Sequence, residues 1–533
     1  MVKEIIKKAL SEVVKEINGT INLEFSADEK NGHLATNCAL VFGKERGMSP
    51  KEFAQKTKDE IEPKLKNVVE RIEIAGPGFI NFFLTNEAII NELKEVEEKI
   101  NKGFKYLEGK KINIEFISAN PTGELHIGHG RGAFYGDALS NILQFAGAEV
   151  TREYFINDSR ESNQIKELGK TALGEGETYL TEKLKTQIAK IKTGLIHSDI
   201  LENIRMNSRD VSEAGFKLAE VVQKNNQEFI ENKLGIKFNI WYSEDEKLRA
   251  SKLNDRTFLT LKTKELTHEK DGAVWIKTSE YGDDEDRVIV RSDGTNSYFL
   301  SDIAYHGEKF SRGYDKVIDI WGADHHGHVK RMEAVKKMLD WSGEFKIFIT
   351  QLVSLKDGDN SSKMSKRAGN VVYLEELVDE FGIDVVRWFY NEKSISTHME
   401  FDIARAKEQS EKNPVFYVQY AHARTNSILE KAKNFKKDET SVSEVIQIPS
   451  ARALALKLVQ ISEIIESITK EYQVQKLTTY SYELAGAFSQ FYRDVRVIEE
   501  NSYSHGALAI VEATKKTLAK SLFLLGISAP EKM

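Results

Sequence analysis

The chain has 533 residues, of which 40% are hydrophobic and 30% charged, and its formal net charge is −7. This length exceeds what one hydrophobic core supports, so we expect about three domains. The composition is typical of a soluble globular protein, and no apolar run approaches the roughly 20 residues of a membrane span. The negative net charge argues against a protein that coats nucleic acid nonspecifically, but it permits a local basic face.

The single cysteine, Cys38, excludes disulfides within the chain and zinc sites built on several thiolates. The opening segment, MVKEIIKKALSEVVKEI, predicts an amphipathic helix with interleaved acidic residues, not a secretory signal. We therefore expect a cytoplasmic protein that does not associate with membranes.

Residues 1–108 predict an N-terminal α+β domain in which helices pack on a small sheet, and the segment NKGFKYLEGKK predicts the linker that follows it. Residues 109–395 alternate strand-like runs, such as KINIEFIS and DKVIDIWG, with helical segments such as HVKRMEAVKKMLDW. This alternation predicts a doubly wound, Rossmann-like parallel sheet that binds ligands at the carboxyl ends of its strands. The charged interval from about 160 to 285 predicts an insertion. Residues 396–533 carry apolar stripes at helical spacing, which predict an all-α bundle.

The segment NPTGELHIGHGRGAFYGDALSNIL, from Asn120 to Leu143, predicts a turn that runs directly into an amphipathic helix. His126 and His129 lie three residues apart at the start of this helix and therefore point to one side. Backbone N–H groups and the helix dipole favour an anion there, so we expect a phosphate.

The segment DGDNSSKMSKRAGNVV, from Asp357 to Val372, predicts a loop rich in Gly, Ser and Asn. Lys363, Lys366 and Arg367 place three cations close together within it. A mobile loop with point charges suits a triphosphate whose charge shifts during a reaction.

The HIGH and KMSK segments, in this order within an alternating α/β region, resemble the paired motifs of class I aminoacyl-tRNA synthetases. EFISANPTGELHIGHGRGA, RSDGTNSYFLSDIAYH, WGADHHGHVKRM and NPVFYVQYAHAR each resemble arginyl-tRNA synthetases, and the resemblance spans essentially the whole chain. It implies that arginine and ATP form arginyl-adenylate and pyrophosphate, and that the arginyl group then passes to the terminal ribose of its tRNA. It also implies Mg²⁺ with the ATP, a monomer, and no metal held by protein ligands.

The resemblance also implies roles for individual residues. The catalytic residues would be His126, His129, Lys363 and Lys366. ATP would contact Pro121, Thr122, Gly123, His126, Gly128, His129, Gly322, Asp324, His325, Met364 and Ser365. Arginine would contact Ser118, Ala119, Asn120, His129, Tyr298, Asp302 and His325, with Tyr298 and Asp302 holding the guanidinium. A buried carboxylate suits this planar group, because it accepts paired N–H bonds.

In the helical region, Tyr417, Tyr420, Arg424 and His422 interleave aromatic and basic side chains, which suits stacking on RNA bases and pairing with phosphates. By resemblance the bundle, residues 396–533, binds the anticodon, and residues 1–108 contact the tRNA corner where the D-loop lies. For any single one of these residues, we prefer the explanation that an aromatic side chain packs in the core and a basic one lies on a solvated face.

Several alternatives remain at this stage. GADHHGH, Gly322 to His328, contains metal-ligand residue types and is also typical of phosphodiesterases that bind two metals, although comparable motifs are absent nearby. The chain could instead be a class I synthetase for another amino acid, although the single cysteine disfavours the types that carry thiolate zinc sites. A noncatalytic RNA-binding relative is a third alternative. Glu115, on the strand before Asn120, has either a substrate-side or a purely structural role.

Overall fold

The computed structural model describes residues 2–14, 21–26, 29–192, 210–356 and 372–533. Among these residues, no helix is long and apolar enough to cross a membrane. The helices are α1 Val2–Val14, α2 Cys38–Phe42, α3 Pro50–Leu65, α4 Asn86–Lys102, α5 Ile127–Phe145, α6 Asn163–Leu173, α7 Glu182–Lys192, α8 Val211–Asn232, α9 Leu253–Thr263, α10 Tyr298–Ser311, α11 Val329–Leu339, α12 Leu374–Phe381, α13 Ile383–Asn391, α14 Ile403–Lys407, α15 Pro414–Ala432, α16 Val442–Val445, α17 Pro449–Val459, α18 Ile461–Glu471, α19 Gln475–Asp494 and α20 His505–Leu524.

The strands form one main sheet and several smaller ones. They are β1 Glu24–Phe25, β2 Leu34–Thr36, β3 Val69–Ala75, β4 Phe79–Leu84, β5 Lys111–Glu115, β6 Glu149–Ile156, β7 Ile240–Ser243, β8 Thr267–Lys270, β9 Ala273–Ile276, β10 Arg287–Val290, β11 Lys316–Trp321, β12 Glu344–Ile349, β13 Val353–Lys356, β14 Met399–Asp402, β15 Lys436–Lys437 and β16 Ser502–Tyr503.

The N-terminal region is an antiparallel sheet of order β1-β2-β4-β3 with helices packed on it. Helix α3 begins with a capping box in which Ser49 and Glu52 satisfy each other's backbone N–H groups. The region docks on the helical bundle through α4, whose Glu97 lies 2.8 Å from Lys516 of α20. The predicted mixture of helices and a small sheet is therefore present.

The main sheet has the order β12-β11-β5-β6-β7, and every pair of neighbours is parallel. Strand β5 leads through α5 to β6 on one side, whereas β11 pairs with β5 on the other. The strand order thus reverses between β5 and β11, and the carboxyl ends of these two strands flank a crevice where doubly wound sheets bind ligands. The predicted doubly wound parallel sheet is confirmed.

The interval that we predicted as an insertion, residues 160–285, contributes in part to the main sheet. Strand β7 lies within it and pairs with β6, with Tyr154 opposite Trp241. The remainder includes helices α6 to α9 and a separate antiparallel sheet that is completed by a later strand, in the order β10-β9-β8. The sequence did not reveal β7 because this strand is only four residues long and its flanks are charged.

The C-terminal region is a bundle in which α15, α17, α19 and α20 pack together, as the apolar stripes predict. Two short strands, β15 and β16, pair within it. A third, β14, pairs in parallel with β13 and therefore ties the start of this region to residues 109–395. Side chains such as Leu454, Leu484 and Leu518 are fully buried between the helices.

Candidate active site

The loop after β5 contains two consecutive residues with positive φ, and its later residue Asn120 is exposed. Ile117 and Ser118 have φ values of 68° and 39°, in the left-handed region that side chains rarely adopt. The Ser118 hydroxyl donates to Glu115 Oε1 (2.9 Å) and accepts from the Phe155 N–H (3.0 Å), so it holds the loop in this shape. Asn120 follows on the surface at the mouth of the crevice.

The next residues of the loop are held by contacts to the rest of the fold. The buried Ala119 exchanges both of its backbone hydrogen bonds with the Tyr154 hydroxyl, at 3.1 and 3.2 Å. The Thr122 N–H donates to the Asn120 carbonyl (2.8 Å), and the Gly123 carbonyl accepts from Asn226 (3.0 Å). Pro121 is buried between them. The loop is therefore rigid where the predicted ATP and arginine contacts begin.

His126 and His129 form a stacked pair at the start of α5. Their ring centroids lie 3.7 Å apart, with planes inclined by 28°. His126 Nδ1 accepts from the Gly128 N–H (3.0 Å), and His129 Nδ1 accepts from the His126 N–H (3.1 Å), which is a capping box made of imidazoles. Since each Nδ1 accepts a hydrogen bond, the proton of each neutral ring resides on Nε2.

Both rings are neutral at physiological pH. Burial and the neighbouring His126 lower the pKa of His129 to about 3, and burial lowers the pKa of His126. Two neutral Nε2–H donors are therefore fixed side by side at the crevice. Gly128 is required for this arrangement, because a Cβ there would lie 2.8 Å from Cε1 of His126.

The backbone of this helix start differs from our expectation. The Ile127 N–H donates to the Val372 carbonyl (3.1 Å) and the His129 N–H to the His126 carbonyl (3.0 Å), while Gly128 is capped by His126. These N–H groups are therefore not available to a phosphate. The donors that remain for an anion are the imidazole Nε2–H groups.

The segment that carries the KMSK sequence lies outside the described residues, and with it lie Lys363, Met364, Ser365, Lys366 and Arg367. Its two flanks are described. On one side β13 ends at Lys356, paired with β14. On the other, the Leu374 N–H donates to the Leu125 carbonyl (2.8 Å) next to the Val372 to Ile127 bond. The end of this segment is thus joined by backbone to the histidine turn.

The opposite wall of the crevice follows β11. Gly322 precedes a short 3₁₀ helix, Ala323–His328, and a Cβ at Gly322 would lie 2.5 Å from Oδ1 of Asp324. The side chains of Asp324 and His325 are 82% and 57% exposed. They border open space and are free to meet a ligand.

A second set of side chains forms an acidic pocket beside this wall. Tyr298 and Asp302 lie one turn apart at the start of α10, and Asp302 Oδ2 lies 2.9 Å from His328 Nε2. Glu244, at the end of β7, is buried. Burial and the carboxylates of Asp302, Asp158 and Asp245 raise the pKa of Glu244 to about 8. Such a pocket would accept a cation that supplies several N–H donors.

Glu244 and His328 were not among the predicted site residues. Glu244 falls in the interval that we interpreted as an insertion, and His328 in the motif that we interpreted for adenosine. The signal that identifies Glu244 is its position at the carboxyl end of a sheet strand, which the sequence alone did not reveal.

The bundle carries an exposed face of tyrosines and one arginine. The Arg424 guanidinium donates to the Tyr420 hydroxyl (2.8 Å) and lies 4.2 Å from the ring centroid of Tyr492. Tyr417 packs against Tyr482 with ring centroids 5.1 Å apart. Aromatic rings with a cation between them are suited to unstacked bases and phosphates.

His422 has the ordinary packing role that we preferred for any single one of these residues. Its residue is only 2% exposed, and its Nδ1–H donates to the Pro530 carbonyl (2.8 Å) near the end of the chain. On α15 it faces inward, toward the chain terminus, whereas Tyr420 faces outward.

The DHH alternative gains no support from side-chain placement. Among the described residues, no group of three or more His, Cys, Asp or Glu side chains is arranged to hold a metal ion. His328, the last histidine of the motif, is directed to Asp302.

Comparisons with known families define the class first. Residues 92–165 and 183–429 match the model of the tRNA synthetases class I (R) catalytic domain. Residues 1–84 match the arginyl tRNA synthetase N terminal domain, and residues 418–533 match the DALR anticodon binding domain. The fold and the histidine turn are therefore those of a class I aminoacyl-tRNA synthetase.

Individual relatives specify the family. An arginine–tRNA ligase of Carboxydothermus hydrogenoformans is 40% identical over 96% of this chain and 94% of its own length. One from Geobacter sp. is 38% identical over 96% of this chain and 95% of its own length. The chain belongs to the arginine–tRNA ligase family. The solved Thermus thermophilus arginyl-tRNA synthetase has the same fold, with a TM-score of 0.79 and 20% identity over the whole of both chains.

Proposed function

We propose that this chain activates L-arginine with ATP in the crevice between β5 and β11, and then transfers the arginyl group to the terminal ribose of its tRNA. The stacked His126–His129 pair carries the proposal, since it fixes two neutral Nε2–H donors at the strand ends of a class I synthetase fold. The arginine carboxylate attacks the α-phosphate of ATP, and pyrophosphate leaves. No covalent bond to the enzyme is needed, so positioning and charge stabilisation provide the catalysis.

The ATP side of the proposed site comprises the histidine turn, the preceding loop and the wall after β11. The two Nε2–H groups donate to phosphate oxygens as negative charge develops on them. Gly322, Asp324 and His325 border the adenosine from the other wall, where their side chains are open. Lys363 and Lys366, in the segment whose end is joined to Ile127, would stabilise the departing pyrophosphate. Mg²⁺ would enter with the ATP phosphates, and we assign it no protein ligand because no carboxylate cluster of the described residues fits one.

The arginine side of the proposed site is the acidic pocket. Asp302 and Glu244 accept N–H bonds from the guanidinium, and Tyr298 covers it from the start of α10. Asn120 and His129 lie toward the α-amino and carboxylate groups, with Ser118 and Ala119 fixing the loop beneath them. A substrate without N–H donors would leave the buried Glu244 and the partly exposed Asp302 without partners, and a site built to satisfy polar groups rejects such substrates by roughly 10⁴ to 10⁵.

The tRNA side of the proposed function uses the exposed face of the bundle. Tyr417, Tyr420 and Arg424, together with Tyr482 and Tyr492, present rings and a guanidinium to solvent. We propose that anticodon bases stack there, and that the N-terminal region meets the corner of the tRNA. The protein would act in the cytoplasm as a monomer, which is the usual form of this family.

The direct test is charging of total tRNA with radiolabelled arginine, with each of the other amino acids supplied in parallel. We expect charging with arginine alone, and its loss in a His126→Ala, His129→Ala double variant. Charging with another amino acid would contradict the specificity, and charging that survives the double variant would contradict the site.

Arginine binding is expected to release a proton. Glu244 has a pKa of about 8 in the free protein, and a guanidinium next to it favours the carboxylate, so its pKa falls on binding. Below pH 8 the proton must leave, and arginine affinity should therefore rise with pH up to about 8. Titration calorimetry in two buffers of different ionisation enthalpy measures the proton. Glu244→Gln should abolish the release of the proton. If the same proton release were measured in this variant, the proton would come from a group other than Glu244.

A further inference from the structure

A cluster of charged side chains is buried beneath the proposed arginine pocket, between α10 and the main sheet. Its members are Glu115 on β5, Glu153 on β6, Tyr305, His306, Lys309 and Arg312 on or after α10, and Asp319 on β11. Lys309 is fully buried and lies 2.5 Å from Glu115 and 2.9 Å from Asp319. The Tyr305 hydroxyl lies 2.8 Å from Glu115 and 2.9 Å from Glu153.

His306 has an acceptor on each ring nitrogen. Nδ1 lies 2.8 Å from the backbone carbonyl of Asp302, and Nε2 lies 2.7 Å from Oδ2 of Asp319. A carbonyl oxygen can only accept, so Nδ1 must donate. The other oxygen of Asp319 accepts from the Lys309 ammonium, which favours the ionised carboxylate, so Nε2 must donate as well. This geometry requires both nitrogens to be protonated.

Charge counting in the cluster leads to the same state. Among the described residues, the buried carboxylates of Glu115, Glu153 and Asp319 face two permanent cations, Lys309 and Arg312, and Arg312 is shared with the partly exposed Glu308. The buried carboxylates therefore outnumber these cations, and an imidazolium at His306 supplies a further positive charge, which a site remote from water strongly favours. Burial alone would lower the pKa of His306, but its hydrogen bond to Asp319 and the charge of that carboxylate raise it above the ordinary value.

The same histidine fixes the residue proposed to bind the guanidinium. Its Nδ1–H holds the main chain of Asp302, and its ring packs on Trp321, with centroids 6.1 Å apart. Trp321 in turn packs on His328, the partner of the Asp302 side chain. The main chain of Asp302 is thus held directly by His306, and its side chain is held indirectly through His328 and Trp321.

We propose that His306 is a permanently protonated positioning residue, whose imidazolium, bridging Asp319 and the Asp302 carbonyl, sets the geometry with which Asp302 receives the substrate guanidinium. The proposal rests on the proposed role of Asp302 in arginine binding. The groups that face the imidazolium are Asp319 from β11, Glu115 from β5, and Lys309 and Tyr305 from its own helix. These groups of the cluster are sufficient to keep the His306 ring protonated.

The protonation state is tested on the unmodified full chain without any activity measurement. Nitrogen-15 spectra of histidine-labelled protein at about pH 7.5, one unit above the ordinary histidine value of about 6.5, should show both His306 nitrogens as protonated. His422 serves as the internal control. It is equally buried but has a single carbonyl acceptor, and burial lowers its pKa. It should show one protonated and one bare nitrogen. A neutral His306 would overturn the proposal.

The positioning role is tested by a matched pair of substitutions. His306→Gln should raise KM for arginine about tenfold or more, the factor expected for loss of one charge-assisted hydrogen bond, and leave KM for ATP within about twofold. His422→Gln, the same change at the control histidine, should leave both constants unaltered. Adding Asp319→Asn to His306→Gln removes the carboxylate charge that has lost its imidazolium partner and should recover part of the loss.

Each result decides the question. A His306→Gln variant with an unchanged KM for arginine, or with equal rises for arginine and ATP, would reduce His306 to a structural residue. If that variant does not fold, the spectra of the unmodified chain still decide its protonation state. Arginine charging by the unmodified chain, measured first, separates failure of this inference from failure of the proposed function.

Discussion

His129→Asn is expected to lower the rate of arginyl-adenylate formation by about 10²- to 10³-fold, the usual cost of removing one transition-state donor, while the fold is retained. Asparagine can place its oxygen where Nδ1 of His129 accepts the His126 N–H, so the helix cap survives. It cannot place a donor where Nε2–H now lies. Single-turnover measurement of adenylate formation, with tRNA present, reports the chemical step directly.

The reciprocal variant separates the two roles of the His129 ring, which are to cap the helix through Nδ1 and to donate through Nε2. His129→Gln reaches the Nε2 position with an amide N–H but cannot cap the helix, so it should recover at least about tenfold of the lost rate and melt at a lower temperature. Equal rates in the two variants would show that the donor at Nε2 is not what catalyses the reaction.

Asp302→Asn is expected to raise KM for arginine by about 10²-fold or more, because the guanidinium would lose a charged acceptor next to the buried Glu244. KM for ATP should stay within about twofold, since ATP does not reach this pocket in the proposed arrangement. Steady-state pyrophosphate exchange, with each substrate varied in turn, measures both constants.

The control for this variant is Asp293→Asn, which removes a carboxylate from the exposed turn before the same helix. Within the described part of the chain, Asp293 accepts hydrogen bonds from Thr295 alone, so both constants should remain unchanged. Comparable losses for arginine and ATP in Asp302→Asn would argue that Asp302 supports the fold of the site and does not bind arginine.

The histidine turn could be predicted because its determinants are local. A strand pattern, turn-forming residues and two histidines three apart are all within about 20 residues of sequence. The stacking of the rings and the direction of their free N–H groups follow from the capping box, which adjacent residues make. What spacing could not predict is that Val372, far along the chain, takes the Ile127 N–H that we expected a phosphate to use.

Glu244 and the buried cluster show what depends on distant contacts. Nothing around Glu244 in the sequence distinguishes it from the other acidic residues of a charged interval. Its raised pKa arises because burial, the carboxylates of Asp302 and Asp158 from separate segments, and the adjacent Asp245 act on it together. Likewise, sequence reasoning left Glu115 between a substrate role and a structural one. In the structure both carboxylate oxygens of Glu115 accept hydrogen bonds, from Ser118, Lys309 and Tyr305. Glu115 therefore supports the loop.

The backbone hydrogen bonds that join residues 125–127 to residues 372–374 also constrain when the site can fold during synthesis. These segments are separated by about 250 residues, so at roughly 5–20 residues per second a ribosome adds the second some 10 to 50 s after the first. During that interval the Ile127 N–H lacks its partner, and for most of it the crevice also lacks the wall that follows β11. A nascent chain therefore cannot activate arginine with ATP until most of its catalytic region has emerged. Completion of the site is a late step of folding.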